Sequence, residues 1–431
     1  MNTIPSFNAR VYSSTRPNDL KVEMSKIGCE WAGVVKMARK AGQFIVKIHN
    51  VRTPAALILK EEMLSKGGDC AIHHGAVVHR IERSSCILMG TEKVFAQVIS
   101  ELKVQAFDLP QIAAEIKAAI EGYSNPHPKM PDPETLPEPL RSFYSTLRER
   151  TVIMGILNVT PDSFSDGGTH NTIETAVQHA LKMIEDGADV IDIGGESTRP
   201  GADYIWADEE ISRVVPIISA LVKEIRVPIS IDTYKPEVAR AALDAGATIL
   251  NDITGFADPE MRTLAAERRA PSILMHMKGT PQTMQENPEY QDVIDEVMAY
   301  LREQIRLTVE AGLPEEFIII DPGIGFAKTM DHNLEILRKL ADFKSIGLPI
   351  LIGTSRKAFI GKILGGLPAP DRTFGTAATV ALSISNGANI IRVHDVIEMT
   401  QVARIADAIL NQGQDIQPEK VVYTSPKPDQ E

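Results

Sequence analysis

The chain has few cysteines and no long hydrophobic run, and each shortage excludes a class of protein. Its 431 residues contain three cysteines, Cys29, Cys70 and Cys86. So small and odd a number favours reduced thiols over a disulfide framework. No stretch approaches the roughly 18 uninterrupted apolar residues of a membrane span, and the start, MNTIPSFNAR, lacks the apolar run of a signal peptide. We therefore expect a cytoplasmic protein with no membrane partner.

Positive charge is also in short supply. The chain carries 45 Lys and Arg against 57 Asp and Glu, a formal net charge of -12. This balance argues against a nucleic-acid-binding surface over most of the protein. Residues 1–120 nevertheless have 16 basic against 11 acidic residues, which leaves 29 against 46 for the remainder. Together with a length beyond the usual single-domain range, this contrast predicts two domains with different surfaces.

The composition changes between these two parts. Residues 121–140 carry six prolines and little that could form a core, and proline at that density predicts a stiff, extended connector. We therefore expect an N-terminal domain of unknown role at 1–120, a proline-rich linker at 121–148, a second domain at 149–411 and a flexible tail at 412–431.

The N-terminal part is predicted to be a small α+β domain. Thr53 and Pro54 begin a helix that Gly67 ends, and the flanking apolar segments give a strand-helix-strand-strand-helix order. A nearby group of cysteines and histidines lacks the paired spacing of a zinc site, so we interpret it as packing and surface residues. The group comprises Cys70, His73, His74, His79 and Cys86.

From Thr151 onward, short apolar runs alternate with longer amphipathic segments, giving eight strand-helix units in about 260 residues. Runs that are apolar on both faces suit strands buried in a parallel sheet. Eight such units predict an α/β fold, a closed (β/α)8 TIM barrel rather than an open sheet. Four glycines fall between a helix and the next strand, where a left-handed helix stop is expected. They are Gly187, Gly246, Gly312 and Gly387.

Polar residues stand at the carboxyl end of nearly every predicted strand, on the face where barrel enzymes place their chemistry. In chain order these ends carry Asn158, Asp192, Asp232, Asn251 with Asp252, His276, Asp321, Ser355 to Lys357, and Arg392 to Asp395. Any one of them could be a helix cap or a surface charge. Because all the strands of a barrel end on one side, the set predicts a polar active site at that mouth.

One subset of these residues suits a flat organic substrate. Carboxylate, amide and ammonium groups supply both acceptors and donors for a planar heterocycle with amide and amino edges. They come from Asp232, Asn251, Asp321 and Lys357. Apolar surface for an aromatic partner comes from Phe164, Pro200 and Phe326.

A second subset suits an anion such as phosphate. It consists of the cations Arg199, Arg392 and His394. Asn158 and the carboxylates of the loop after it would share a Mg²⁺ with that anion, since magnesium is often held by one or two protein ligands plus substrate phosphates. No covalent or glycosidic apparatus is evident, which favours displacement of a diphosphate by an external nucleophile.

Eight segments, taken in order, resemble the dihydropteroate synthase family. They are MGILNVTPDSFSDGG, DIGGESTRPGA, SIDTYKPEVA, NDITG, MHMKGTPQTMQ, DPGIGFAK, GTSRKAFIG and RVHDV, within the region from Thr151 to Leu410. The resemblance implies the condensation of 6-hydroxymethyl-7,8-dihydropterin diphosphate with p-aminobenzoate and the release of pyrophosphate through a carbocation-like displacement. It also implies a Mg²⁺ requirement, inhibition by sulfonamides and a homodimer.

The resemblance further assigns roles to the residues at matching positions. The pterin would be bound by Asp232, Asn251, Asp321 and Lys357, with Met275 packing on the ring. The diphosphate would be bound by Asn158, Arg392 and His394, with Asn158 on the metal. The p-aminobenzoate would be bound by Phe164, Thr198, Pro200, Phe326 and Ser355, and Arg199 belongs to the second mobile loop. The expected catalytic residues among them are Asp321, Lys357, Arg392 and His394.

Two alternatives to this activity remain open. Pterin-binding barrels also occur in corrinoid-linked methyltransferases, but methyl transfer needs no diphosphate site, and the SRK and RVHDV segments favour the synthase. A barrel kept as a non-catalytic pterin-binding scaffold is the other alternative. For the N-terminal domain, where the resemblance stops, we expect a regulatory, substrate-channelling or assembly role.

Overall fold

The chain divides into two compact units, Met1–Glu121 and Gly122–Glu431. The computed structural model describes residues 20, 21, 24, 29–125, 127–159, 169–197, 204–280, 283, 284, 286 and 288–410. The tail predicted at 412–431 lies outside these residues. Within them, no helix is both long and apolar enough to cross a membrane.

The N-terminal unit has the predicted α+β character. Its elements are α1 (Trp31–Ala41), β1 (Gln43–Arg52), α2 (Thr53–Ser65), β2 (Asp69–Ile72), α3 (His74–Val77), β3 (Arg83–Thr91), α4 (Glu92–Leu102) and α5 (Leu109–Ser124). Strand β3 lies between β1 and β2 and is antiparallel to both. Alternate side chains of β3, including Cys86 and Leu88, are buried against α2, α4 and the first half of α5. Cys70 also packs in this core.

The second unit contains the eight expected parallel strands. They are β4 (Val152–Asn158), β5 (Val190–Gly194), β6 (Ile229–Asp232), β7 (Ile249–Asp252), β8 (Ser272–Met275), β9 (Ile318–Asp321), β10 (Leu351–Ile352) and β11 (Ile390–Val393). The α-helices of the unit are α6 (Leu140–Glu149), α7 (Thr169–Glu185), α8 (Ala207–Glu224), α9 (Pro236–Ala245), α10 (Pro259–Arg268), α11 (Val293–Glu310), α12 (Met330–Arg338), α13 (Ala358–Ile363), α14 (Thr373–Ser385) and α15 (Val396–Leu410). Short 3-10 helices span Pro133–Thr135, Glu315–Phe317, Leu340–Ile346 and Ala369–Arg372.

The strands close into a TIM-type barrel. Each pairs in parallel with its neighbours in the order β10-β11-β4-β5-β6-β7-β8-β9. The last side is closed by a single bridge between Ile320 and Ile350, where the Ile320 amide donates to the carbonyl of Pro349 at 2.9 Å. Strands such as β8 and β9 are buried along their whole length, because helices cover one face and barrel side chains fill the other.

The predicted glycine stops are confirmed. Gly246 ends α9 with φ +116°, and a β-carbon there would lie 2.6 Å from the side chain of Val222. Both the left-handed backbone and the close approach therefore require glycine.

The prediction of an extended linker at 121–148 is wrong for residues 140–148, which belong to α6. Leu140, Phe143, Tyr144 and Leu147 lie on one face of α6 and join the buried core of the barrel unit. Their spacing of three and four residues is that of an amphipathic helix, and the nearby prolines precede the helix without interrupting it. The barrel unit therefore begins well before residue 149, because burial of these side chains outweighs the proline-rich composition.

Candidate active site

The predicted polar residues meet at the carboxyl ends of the strands because the strand register aligns them. Asn158 is opposite Gly194, Gly194 is opposite Asp232, and Asp232 is opposite Asn251. On the far side of the barrel, Met275 is opposite Asp321. Residues separated by up to 163 positions in the chain thus lie at one mouth.

The centre of this mouth is a buried ion-pair network around Arg392. Its guanidinium donates to Asp192 and to Asp232, each at 2.6 Å. The Asn251 amide donates to the same Asp192 carboxylate at 3.2 Å. The sequence marks Asp192 only as a strand end, and the structure shows that its carboxylate accepts from both Arg392 and Asn251.

One carboxylate oxygen of Asp232 pairs with a cation, and the other is an acceptor without a donor among the described residues. Burial raises the pKa of Asp232 to about 7, while Arg392 opposes the rise. Its Oδ1 atom is buried and makes no hydrogen bond within the described part of the protein. A buried acceptor left without a partner costs free energy, so it is a natural contact for a donor on a bound ligand.

Asp321 and Lys357 form the opposite side of the mouth. Oδ1 of Asp321 accepts from the Gly323 amide at 2.7 Å, and burial raises the pKa of Asp321 to about 6. Burial and the neighbouring Arg392 lower the pKa of Lys357 to about 8. The Lys357 ammonium lies 4.2 Å from the centre of the Phe326 ring, a cation–π contact.

An apolar cluster lines the mouth next to these charges. Met275 and Phe326, both predicted to contact substrate, pack in it together. Its other members are Tyr234, Ile253, Met277, Met284 and Ala327. Polar groups at the rim and sulfur and aromatic side chains beside them are the usual composition of a pocket for a flat heterocycle.

The surroundings of His394 disfavour the positive charge that the sequence analysis assigned to it. Burial, with the adjacent Arg392 and Arg356, lowers the pKa of His394 to about 3, so the ring is neutral near pH 7. Its Nδ1 lies 3.0 Å from Oγ of Ser355, which also accepts from the His394 amide at 3.1 Å. His394 and Ser355 therefore form a neutral hydrogen-bonding pair.

Other strand-end residues have structural partners. Asp252 accepts from the backbone of Thr254 and Phe256 and so fixes the loop that follows β7. Arg356 pairs with Asp395. Phe164, Thr198, Arg199 and Pro200, which were predicted to contact substrate, lie outside the described residues.

Two buried lysines were not predicted as site residues. Lys235 donates to Glu196 at 3.0 Å, to Glu210 at 2.7 Å and to the carbonyl of Ile205 at 2.8 Å. Lys328 is buried beside His276. Both lie within segments singled out for their resemblance, but in sequence they look like ordinary solvated lysines, and their burial comes from tertiary packing.

Asn158 is placed where a metal could be bound. It ends β4, is half-buried, and is separated from Asp232 in the register by Gly194, which has no side chain to fill the space. Its amide oxygen is a hard ligand of the type that Mg²⁺ accepts alongside phosphate oxygens. Within the described residues, no group of three or more His, Cys, Asp or Glu side chains forms a complete metal site.

Comparison with known proteins gives consistent matches over the barrel. The profile of the pterin binding enzyme family matches residues 154–394. The dihydropteroate synthase of Bacillus subtilis is 51% identical over 269 residues, covering 62% of this chain and 91% of that protein. A crystal structure of Xanthomonas albilineans dihydropteroate synthase with 4-aminobenzoic acid is 43% identical, with a TM-score of 0.58, covering 61% of this chain and 94% of the other.

One relative extends the match beyond the barrel. The probable bifunctional folylpolyglutamate synthase/dihydropteroate synthase of Halobacterium salinarum is 41% identical over 382 residues, covering 87% of this chain and 44% of that protein. That coverage exceeds the length of the barrel unit, so it includes part of the N-terminal unit. The match of the family profile over more than half of the chain, together with the identity over the barrel, shows that this chain belongs to the dihydropteroate synthase family of pterin-binding enzymes.

Proposed function

We propose that the barrel condenses 6-hydroxymethyl-7,8-dihydropterin diphosphate with p-aminobenzoate to give 7,8-dihydropteroate and pyrophosphate. The observation that carries the proposal is the placement of Asp232, Asn251, Asp321 and Lys357 around one mouth, next to the apolar side chains of Met275 and Phe326. Acceptors and donors around an apolar slot match the edges and the faces of a pterin ring.

In the proposed mechanism, the barrel stabilises charge that develops as the diphosphate leaves. The bond between the methylene carbon and the diphosphate oxygen breaks, and the amine of p-aminobenzoate forms a new bond to that carbon and loses a proton. Asp321, buried beside the ring, stabilises the positive charge on the pterin methylene because its carboxylate acts in a low-dielectric site. Arg392 supplies positive charge to the leaving group, and Ser355 with His394 supplies neutral hydrogen bonds.

We propose that Asn158 would hold Mg²⁺ with the diphosphate, helped by the first-loop carboxylates Asp162 and Asp166, which lie outside the described residues. When bound, the metal neutralises charge on the leaving pyrophosphate. The position of Asn158 opposite Gly194 and its amide oxygen support this assignment.

Asn158→Ala is expected to raise the Mg²⁺ concentration needed for half-maximal activity by about tenfold or more, because one ligand of few is lost. A magnesium titration of the initial rate measures this, with the KM for p-aminobenzoate as an internal control that changes little. An unchanged titration curve would remove Asn158 from the metal site.

The activity itself is tested with the full chain and the two substrates. We expect one pyrophosphate released for each p-aminobenzoate consumed. Methyl transfer from methyltetrahydrofolate to a corrinoid acceptor, with no pyrophosphate release, would support the methyltransferase alternative. Pterin binding without turnover of either substrate pair would support a scaffold.

We propose that the barrel forms a homodimer through α14 and α15. Between these helices lies an apolar groove of about 430 Å³, lined by residues that include Ala381, Val402 and Ile405. Leu382, Ile405 and Ile409 are all more than 60% exposed. An apolar patch of this kind on a helical surface is typical of a protein–protein interface.

Ile405→Lys is expected to convert the dimer into a monomer, because a charge would be buried in the apolar contact. Sedimentation velocity measures the change, and Val309→Lys, on the exposed side of α11, is the matched control. The same measurement on residues 125–431 tests an assembly role for the N-terminal unit. If that shorter chain is a monomer while the full chain is a dimer, the N-terminal unit and not the groove assembles the protein.

We also propose a cytoplasmic location. Cys70 and Cys86 are both buried in the core of the N-terminal unit, and neither forms a disulfide. Such thiols remain reduced in a compartment such as the cytoplasm.

A further inference from the structure

Lys328 is a buried lysine that the proposed mechanism does not use. It ends the loop that follows β9, and its side chain and backbone together are only 3% exposed. It forms no ion pair with any carboxylate of the described residues. A buried ammonium needs hydrogen-bond partners to offset its lost hydration, so its surroundings define what it does.

Three polar atoms surround the side-chain nitrogen of Lys328. They are Nδ1 of His276 at 2.9 Å, the carbonyl of His276 at 3.4 Å and the carbonyl of Phe326 at 3.0 Å. A protonated lysine has three N–H donors, whereas a neutral amine has two. In the ammonium form, each of the three N–H groups of Lys328 has an acceptor when the proton of the His276 ring is on Nε2.

These contacts join two segments of the pocket. His276 directly follows Met275 at the end of β8, and its amide donates to the carbonyl of Asp321 at 2.9 Å. Phe326 lies in the loop after β9, in the same apolar cluster as Met275. The two segments pack closely around Gly323, because a β-carbon on this residue would lie 2.0 Å from the carbonyl of His276 and 3.3 Å from the Lys328 ammonium.

The charge of Lys328 also acts on Asp321. Gly323, whose amide donates to Asp321, lies next to the Lys328 ammonium. The positive charges of Lys357, Lys328 and Arg392 each lower the pKa of the buried Asp321 carboxyl. Lys328 in turn faces Asp321 and Lys357, and burial lowers the pKa of its ammonium to about 7. His276 faces Lys328 and Lys278, and burial with these cations lowers the pKa of its ring to about 2, which keeps it neutral.

We propose that Lys328 is a positioning residue of the pterin pocket, whose ammonium ties the loop carrying Phe326 to the end of β8 and supplies positive charge to Asp321. Its effect on the reaction rests on the proposed function, in which Asp321 contacts the pterin. Its effect on Asp321 itself does not depend on the substrate and can be measured without one.

The test compares full-length Lys328→Met, Lys328→Arg and a control, Lys339→Met, which removes an exposed lysine paired with Glu335. The first readout is the ¹³C chemical shift of the Asp321 carboxyl as a function of pH, assigned with Asp321→Asn. We expect Lys328→Met to raise the pH of half-ionisation by about one unit, a tenfold change in the ionisation constant. Lys328→Arg keeps the charge and is expected to restore the value of the native chain.

The second readout is the KM for the pterin diphosphate. Lys328→Met is expected to raise it about tenfold while the KM for p-aminobenzoate changes less than threefold, and Lys339→Met is expected to change neither. If Lys328→Met does not fold, Lys328→Gln, which keeps donors without the charge, takes its place. An unchanged Asp321 titration in a folded variant would overturn the proposal. Absence of turnover in the native chain, with the Asp321 titration shifted as expected, would instead contradict the proposed function.

Discussion

Arg392→Met is expected to lower the free energy of unfolding by about 3–5 kcal/mol at pH 8 and to remove most of the activity. Arg392 lies between Asp192, which is fully buried, and Asp232, whose side chain is 13% exposed. Methionine fills a similar volume but leaves both carboxylates without their cation. The cost is that of an uncompensated buried charge, which is far larger than the value of a surface ion pair.

The loss is expected to depend on pH. Burial raises the pKa of Asp232 to about 7 in the folded chain, against about 3.9 for an unfolded aspartate. The folded state therefore binds this proton more tightly, and stability from the group is full below about pH 4 and is lost as the pH rises to about 7. Removing Arg392 raises the pKa of Asp232 in the folded chain further, so stability continues to fall at higher pH. The loss in free energy of unfolding caused by Arg392→Met is therefore smaller at pH 5 than at pH 8.

Urea unfolding at pH 5 and pH 8 measures both effects. The matched control is Arg306→Met, which removes an arginine that is 51% exposed and paired with Glu303 and Glu310. We expect the control to cost less than about 1 kcal/mol at either pH. Equal losses for the two variants would show that the Arg392 network does not stabilise the barrel mouth.

Asp321→Asn is expected to reduce kcat/KM by about 10²–10³ while leaving the fold intact. The asparagine side chain has the same shape, and its oxygen can still accept from the Gly323 amide, but it carries no charge next to the substrate. Because burial raises the pKa of Asp321 to about 6, activity of the native chain should fall as the pH drops below about 6. The variant should lose this acid limb.

The control for Asp321→Asn is Asp252→Asn. Asp252 is also buried, and burial likewise raises the pKa of Asp252 to about 6, but its oxygens accept from the backbone of Thr254 and Phe256. We expect this second variant to lose stability and to keep kcat/KM within a few fold. Profiles of kcat/KM against pH for both variants distinguish the roles, and near-normal turnover in Asp321→Asn would argue against its part in the reaction.

Much of the fold could be predicted from the sequence because barrel strands and helices leave local patterns. Continuous apolar runs mark the buried strands, and the family is confirmed through segments such as DPGIGFAK. The linker prediction failed because the six prolines near residue 130 indicate an extended chain, whereas the helical spacing just after them places Leu140, Phe143, Tyr144 and Leu147 in the core.

The sequence predicted which residues lie at the site better than it predicted their contacts with one another. Each strand end could be read locally, but the partners of Arg392 lie 160 and 200 residues away, and only the strand register brings them together. The neutral state of His394 and the burial of Lys328 are likewise properties of packing, which local sequence patterns do not contain. The roles of the individual residues in binding remain predictions.

The barrel has a seam between β9 and the short β10, by which we mean a side with little strand pairing. Strand β9 pairs with this part of the chain through one bridge, from Ile320 to Ile350 just before β10, whereas the other neighbouring strands share longer ladders. Asp321 ends β9 on one side of this seam, and Lys357 follows β10 on the other. A pterin held by both side chains would connect the two sides of this seam. Substrate binding would then raise the free energy of unfolding of the barrel.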